Sequence, residues 1–120
     1  MRLNLILAED DPAMRRWLSK ILAGMGSISE ASTGNEALWL LGTQRQVDAV
    51  ISDVRMPSLT GLQLLRAARL AGFNIPFLLI TAFGDDEVCS EALRLGATVL
   101  SKPFSAQELL EQIRHLGFWE

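Results

Sequence analysis

A single cysteine, Cys89, rules out an intramolecular disulfide and leaves no thiol pair for a metal, so it reads as a packed thiol in a reducing compartment. No run of basic residues occurs either. The 11 Lys and Arg are scattered among 14 Asp and Glu for a net charge of −3, which argues against a nucleic-acid-binding surface. No apolar stretch is long enough to span a bilayer, so no membrane segment is expected. Met1 to Ala8 runs straight into acids without the long apolar core and small-residue cleavage site of a secretory leader. The cytoplasm is the expected location. Repeats, low-complexity tracts and linkers are missing too, so the expectation for 120 residues is one domain, 1–120.

Apolar residues make up 49% of the chain and charged residues 21%, the balance of a globular protein. Leu3 to Ala8 is an almost continuous apolar run, as in a strand covered on both faces of a parallel sheet, and Val47 to Ser52, Phe77 to Thr81 and Thr98 to Ser101 repeat it. Ser27 to Ala31 is a weaker strand of mixed polarity, expected at a sheet edge. Between the runs lie helical spacings, such as Trp17, Leu18, Ile21, Leu22 and Met25, and later Leu109, Leu110, Ile113 and Leu116. Asp11 before Pro12 marks one helix start, and Ser105 with Glu108 fits a capping box at another. Gly24 or Gly26, Gly72 and Gly96 fall where helices should stop. Five strands alternating with five helices predict an α/β fold, a mainly parallel sheet with helices on both faces.

In such a sheet the ligand site lies beyond the carboxyl ends of the strands. Reading those ends in order gives Glu9 and Asp10, then Asp53, Thr81 and Lys102. All are polar or charged, and each follows an apolar strand. Clustered carboxylates repel one another unless a cation joins them, and hard oxygen donors without His or Cys suit Mg²⁺. A carboxylate also serves as a nucleophile toward phosphorus, while a metal, a Lys and a hydroxyl offset charge on the phosphoryl oxygens.

The segments AEDDP at 8 to 12, DVRMPSLTG at 53 to 61, LLITA at 78 to 82 and GATVLSKPF at 96 to 104 carry a resemblance. Over essentially its whole length the chain resembles the receiver domain of the two-component response regulators. The resemblance implies a doubly wound, flavodoxin-like sheet of order 2-1-3-4-5. It implies Asp53 as phosphoacceptor, Asp10 as a direct Mg²⁺ ligand, Glu9 as the acid that holds the metal through water, and the backbone carbonyl of Arg55 as a further ligand. Thr81 is similar to the hydroxyl that turns toward the phosphoryl group. Lys102 is similar to the cation that pairs with it, followed by Pro103 across what is commonly a cis peptide. Pro57 and Gly61 match the loop after the acceptor.

The acidic run admits two pairs, Glu9 with Asp10 or Asp10 with Asp11. The first is preferred because of the register to Met14 and Arg15, and because Asp11 already has a capping role before Pro12. Implied partners are a sensor histidine kinase or a histidine phosphotransfer protein, and a downstream output domain or partner protein, with homodimerisation on phosphorylation a further expectation. The domain is expected to be a switch and not a turnover enzyme. One departure concerns the output. Receivers often carry Tyr or Phe three residues before the Lys, whereas this chain has Val99 there and no Tyr anywhere; Phe83 is the nearest candidate for a compensating aromatic.

The competing reading is a pseudo-receiver, a protein-binding module without phosphorylation-dependent switching, which Val99 keeps alive. A phosphohydrolase with an aspartyl phosphate intermediate is a third, but Arg55 stands where such enzymes usually carry a second Asp, leaving no obvious general acid or base. Trp17 and Trp39 sit in helical segments and read as core or partner contacts. His115, near the end of the last helix, reads as a cation complementing the helix dipole.

Overall fold

The near-continuous apolar runs of the sequence form the middle of one parallel sheet in a computed structural model, which describes residues 2–82 and 85–116. In chain order the elements are β1 (Leu3–Ala8), α1 (Pro12–Leu22), β2 (Gly26–Ala31), α2 (Gly34–Thr43), β3 (Ala49–Asp53), α3 (Gly61–Leu70), β4 (Phe77–Thr81), α4 (Asp86–Arg94), β5 (Thr98–Ser101) and α5 (Ala106–Arg114). The strand order is β2-β1-β3-β4-β5, the predicted doubly wound, flavodoxin-like arrangement, with every pairing parallel. β2, the strand of mixed polarity, lies at an edge as expected.

Side-chain alternation along the strands builds two cores. Leu3, Leu5 and Leu7 of β1, Ala49 and Ile51 of β3, and Leu78 and Ile80 of β4 pack against Leu18 and Leu22 of α1 and Leu109 and Ile113 of α5. On the opposite face Ile6, Val50, Phe77 and Leu79 meet α2, α3 and α4 through Ala37, Leu41, Leu64, Leu65, Ala68 and Ala92. Every residue of β3 and β4 is buried, which explains why their sequences show no polar alternation. Each fully buried Leu or Ile contributes roughly 1.5–3 kcal/mol of transfer free energy.

Local signals set most boundaries. Asp11 caps α1 by accepting from the Ala13 N–H, with Pro12 in the first turn, and Ser105 with Glu108 forms the expected capping box on α5. A third start, the Thr60–Gln63 capping box of α3, has the same spacing and escaped the sequence reading. Two expectations are corrected. α1 stops at Leu22 and passes into a 3₁₀ turn, Ala23–Met25, so Met25 is not in its periodic stripe. The third strand spans Ala49–Asp53 instead of 47–52, because the Asp48 side chain caps the Asn4 N–H at 2.7 Å and the ladder begins after it. Of the two readings of Trp39, core or partner contact, its 65% exposure on α2 removes the first. Trp17 is 40% exposed and leans on Phe104 with ring centroids 5.8 Å apart. Cys89 is a free, half-buried thiol, and His115 sits at the end of α5 with Nδ1 2.7 Å from the Glu111 carbonyl. No helix among the described residues is long and apolar enough to cross a membrane.

Candidate functional site

Parallel pairing brings the carboxyl ends of the strands to one edge of the sheet. The register sets Asp53 beside Ile80 and Thr81 beside Ser101, so Glu9, Asp53, Thr81 and Lys102, up to 93 positions apart in sequence, come together there.

Asp53 is the last residue of β3 and only 5% exposed. The Lys102 ammonium donates to its Oδ2 at 2.9 Å, and the Arg55 N–H donates to its Oδ1 at 3.1 Å. These two donors fix the carboxylate plane and are charge-assisted bonds of the stronger kind. Behind it the backbone is locked: the Ser52 hydroxyl donates to the Asp53 carbonyl at 2.9 Å, and the Gly61 N–H donates to the Val54 carbonyl at 2.9 Å. A Cβ on Gly61 would lie 2.4 Å from the Asp53 carbonyl oxygen, so only glycine lets α3 begin this close to the acid. The Lys102–Pro103 peptide is cis, and the Lys102 N–H donates to the Thr81 carbonyl at 2.8 Å.

Glu9 is 2% exposed. Its Oε2 accepts from the Asp11 N–H at 3.1 Å, whereas Oε1 is buried with no partner among the described residues. Burial first, then the close, like-charged carboxylate of Asp53, push its carboxyl up to about 8, while the Asp11 amide works in the opposite direction. Two facing acceptors are compatible only if a proton or a cation stands between them. The Arg15 guanidinium, also paired with Glu30 at 3.2 Å, steadies this turn by donating to the Glu9 carbonyl at 2.8 Å.

Consecutive acids therefore have separate fates. Glu9 points into the site, Asp11 caps α1, and Asp10 is exposed at the rim, where with Arg55, Met56, Pro57 and Thr60 it lines a shallow depression of about 390 Å³. Among the described residues no three acidic, His or Cys side chains form a ready-made metal cage. The orphaned Glu9 oxygen beside Asp53 and the all-oxygen donor set nonetheless fit Mg²⁺, which keeps several waters and needs few protein ligands. Thr81 is 1% exposed; its hydroxyl makes a long bond of 3.4 Å to the Ala82 carbonyl and, among the described residues, none to Asp53. Val99 lies on β5 opposite Leu79, half-buried against the α2–α4 face. Phe83 is outside the described residues. Ser52 and Arg15 support the site through backbone carbonyls, a role that no motif marks, although Arg15 helps to set the register of the acidic pair.

A family model described as the response regulator receiver domain matches residues 5–114. The chain belongs to that family. It is 38% identical over 97% of its length to the response regulator MprA of Mycolicibacterium vanbaalenii, covering 51% of that protein. It is 39% identical over 96% of its length to the response regulator protein FleR of Pseudomonas aeruginosa, covering 25% of it. The chain thus spans about half the length, or less, of these curated relatives. Among solved structures, the receiver domain of the Francisella response regulator 1452 superposes with a TM-score of 0.87 at 30% identity, over 96% of both chains. The Vibrio cholerae chemotaxis protein CheY4 does so with a TM-score of 0.87 at 29% identity, over 97% of this chain and 99% of that one.

Proposed function

We propose that this receiver domain accepts a phosphoryl group on Asp53 from a phosphohistidine of a sensor histidine kinase or histidine phosphotransfer protein, changes conformation, and loses the group by hydrolysis. The observation that carries this reading is the buried Asp53 carboxylate, oriented by Lys102 and the Arg55 amide and faced by the unpartnered oxygen of Glu9.

An Asp53 carboxylate oxygen attacks phosphorus in line with the bond to the donor imidazole. The O–P bond forms as the P–N bond breaks, and the electron pair leaves with the imidazole nitrogen. Lys102, already beside Asp53, moves its charge to a phosphoryl oxygen, and Thr81 turns its hydroxyl toward another. Mg²⁺, when bound by Asp10, Asp53 and the Arg55 carbonyl, with Glu9 through water, supplies further compensation of phosphoryl charge. In hydrolysis water attacks phosphorus, releasing inorganic phosphate and the free carboxylate. Arg55 provides no general acid or base two residues after the acceptor, which supports a slow switch over a turnover enzyme. The unit is read as the whole of 1–120, cytoplasmic, with output through a further domain, a partner protein or a phosphorylation-dependent homodimer.

Intact-mass spectrometry tests the reading. With Mg²⁺ and acetyl phosphate or phosphoramidate, about one phosphoryl group per chain is expected, and none for Asp53→Asn. Labile, Mg²⁺-dependent labelling that persists in the Asn variant would place the acceptor elsewhere.

A further inference from the structure

Arg69, near the end of α3, gathers three backbone carbonyls with one guanidinium. Its Nε donates to the Leu95 carbonyl at 2.8 Å, and its Nη1 donates to the carbonyls of Phe73 at 2.8 Å and Ile75 at 2.9 Å. The guanidinium carbon stands 5.3 Å from the centroid of the fully buried Phe77 ring. Two of the carbonyls belong to the connection from α3 to β4, and the third is at the C-cap of α4. A single side chain therefore ties the end of α4 to the start of β4. Charge-assisted bonds to carbonyls that would otherwise be orphaned, in half-buried surroundings, are strong, and a cation there also complements the helix dipole. One turn earlier Arg66 pairs with Glu91, but that pair is exposed and weak by comparison.

The other end of α4 is held differently. Asp11, Thr33, Thr60 and Ser105 cap their helices through side-chain oxygens, whereas Asp85, at the head of α4, makes no such bond among the described residues. The one fully buried residue of α4, Ala92, is in its second half. The loosely held end is the one that follows Thr81.

We propose that Arg69 is a positioning residue that acts as the fulcrum of α4. It fixes the segment from Ala92 to Ala97, so that when Asp53 is phosphorylated only the uncapped head of the helix is displaced. The response half of this statement rests on the phosphoacceptor reading; the anchoring half does not.

Amide-resolved hydrogen exchange on the full chain tests both halves, using Arg69→Lys, which keeps the charge but loses the fork, and Arg69→Gln as a second variant. In the resting state the amides of Leu95, Gly96 and Ala97 should exchange about tenfold faster in either variant, while those of Val50 and Ile51 stay at wild-type rates. Unchanged exchange at 95–97, or equal acceleration in β3, would overturn the anchor. With Mg²⁺ and beryllofluoride, wild-type exchange should change at 86–90 and not at 95–97, and in the variants the change should spread through Ala97. Equal changes at both ends of wild-type α4 would overturn the fulcrum. The acetyl phosphate adduct, followed separately by mass, reports on the phosphoacceptor reading alone; if it fails while the resting-state result holds, the anchor stands without the switch.

Discussion

The helices α3 and α4 are neighbours on one face of the sheet, ten and nine residues long, and they are built to opposite specifications. α3 opens with a two-way capping box, buries Gly61, Leu64, Leu65 and Ala68, and is tied by its first amide to the turn that carries Asp53. α4 opens without a side-chain cap among the described residues, carries two acids in its first turn and buries Ala92 alone. The difference teaches where this domain can move. The flank after Asp53 is stiff enough to hold its carboxylate in place, and the flank after Thr81 has little burial to lose.

The contrast is broken most directly by core truncation. Leu64→Ala should cost about 3 kcal/mol, whereas Val88→Ala on half-buried α4 should cost below about 1 kcal/mol. Urea titrations would read both, and equal costs would abolish the distinction.

A stiff α3 flank also means that Glu9 and Asp53 cannot move apart to relieve their charge conflict. Glu9 has its carboxyl raised from 4.5 to about 8 in the folded state, so between those values the native protein holds a proton that the unfolded chain has released. Without divalent metal, stability should therefore be greatest below about pH 4.5 as far as this group is concerned, and be lost as pH rises toward about 8. Thermal melts across that range should fall by several degrees in the wild type and flatten in Glu9→Gln. An unaltered slope in the variant would assign the pH dependence to other groups. Added Mg²⁺ should raise the wild-type melt most at the alkaline end.

The smallest effect concerns the caps. Thr60→Ala should destabilise by about 1 kcal/mol and Asp85→Ala by no more than a few tenths, because only the first removes a bonded cap. Denaturant midpoints that shift equally would show that the head of α4 is held as firmly as that of α3.

Much of this was legible in the sequence because it is local. Continuous apolar runs, period-3.6 patterns, Asp11 before Pro12 and Ser105 with Glu108 each act within a few residues, and they marked the strands and two helix starts that the structure contains. The convergence of Glu9, Asp53, Thr81 and Lys102 was legible too, since parallel pairing must bring them to one edge. Sequence could not say that Trp39 faces outward, because its helix has apolar residues on more sides than the core can cover.

What tertiary structure alone decided depends on residues far apart in the chain. Lys102 meets Asp53 across 49 positions, and Arg69 meets Leu95 across 26. The motifs name Asp53 and Lys102 but not the bond between them, and the Arg69 contact is in no motif at all, since a carbonyl oxygen belongs to every residue. Glu9 and Asp10 are adjacent acids, yet one is buried against Asp53 and the other exposed, because successive side chains leaving a strand point opposite ways and the fold of the third strand supplies a neighbour to only one of them.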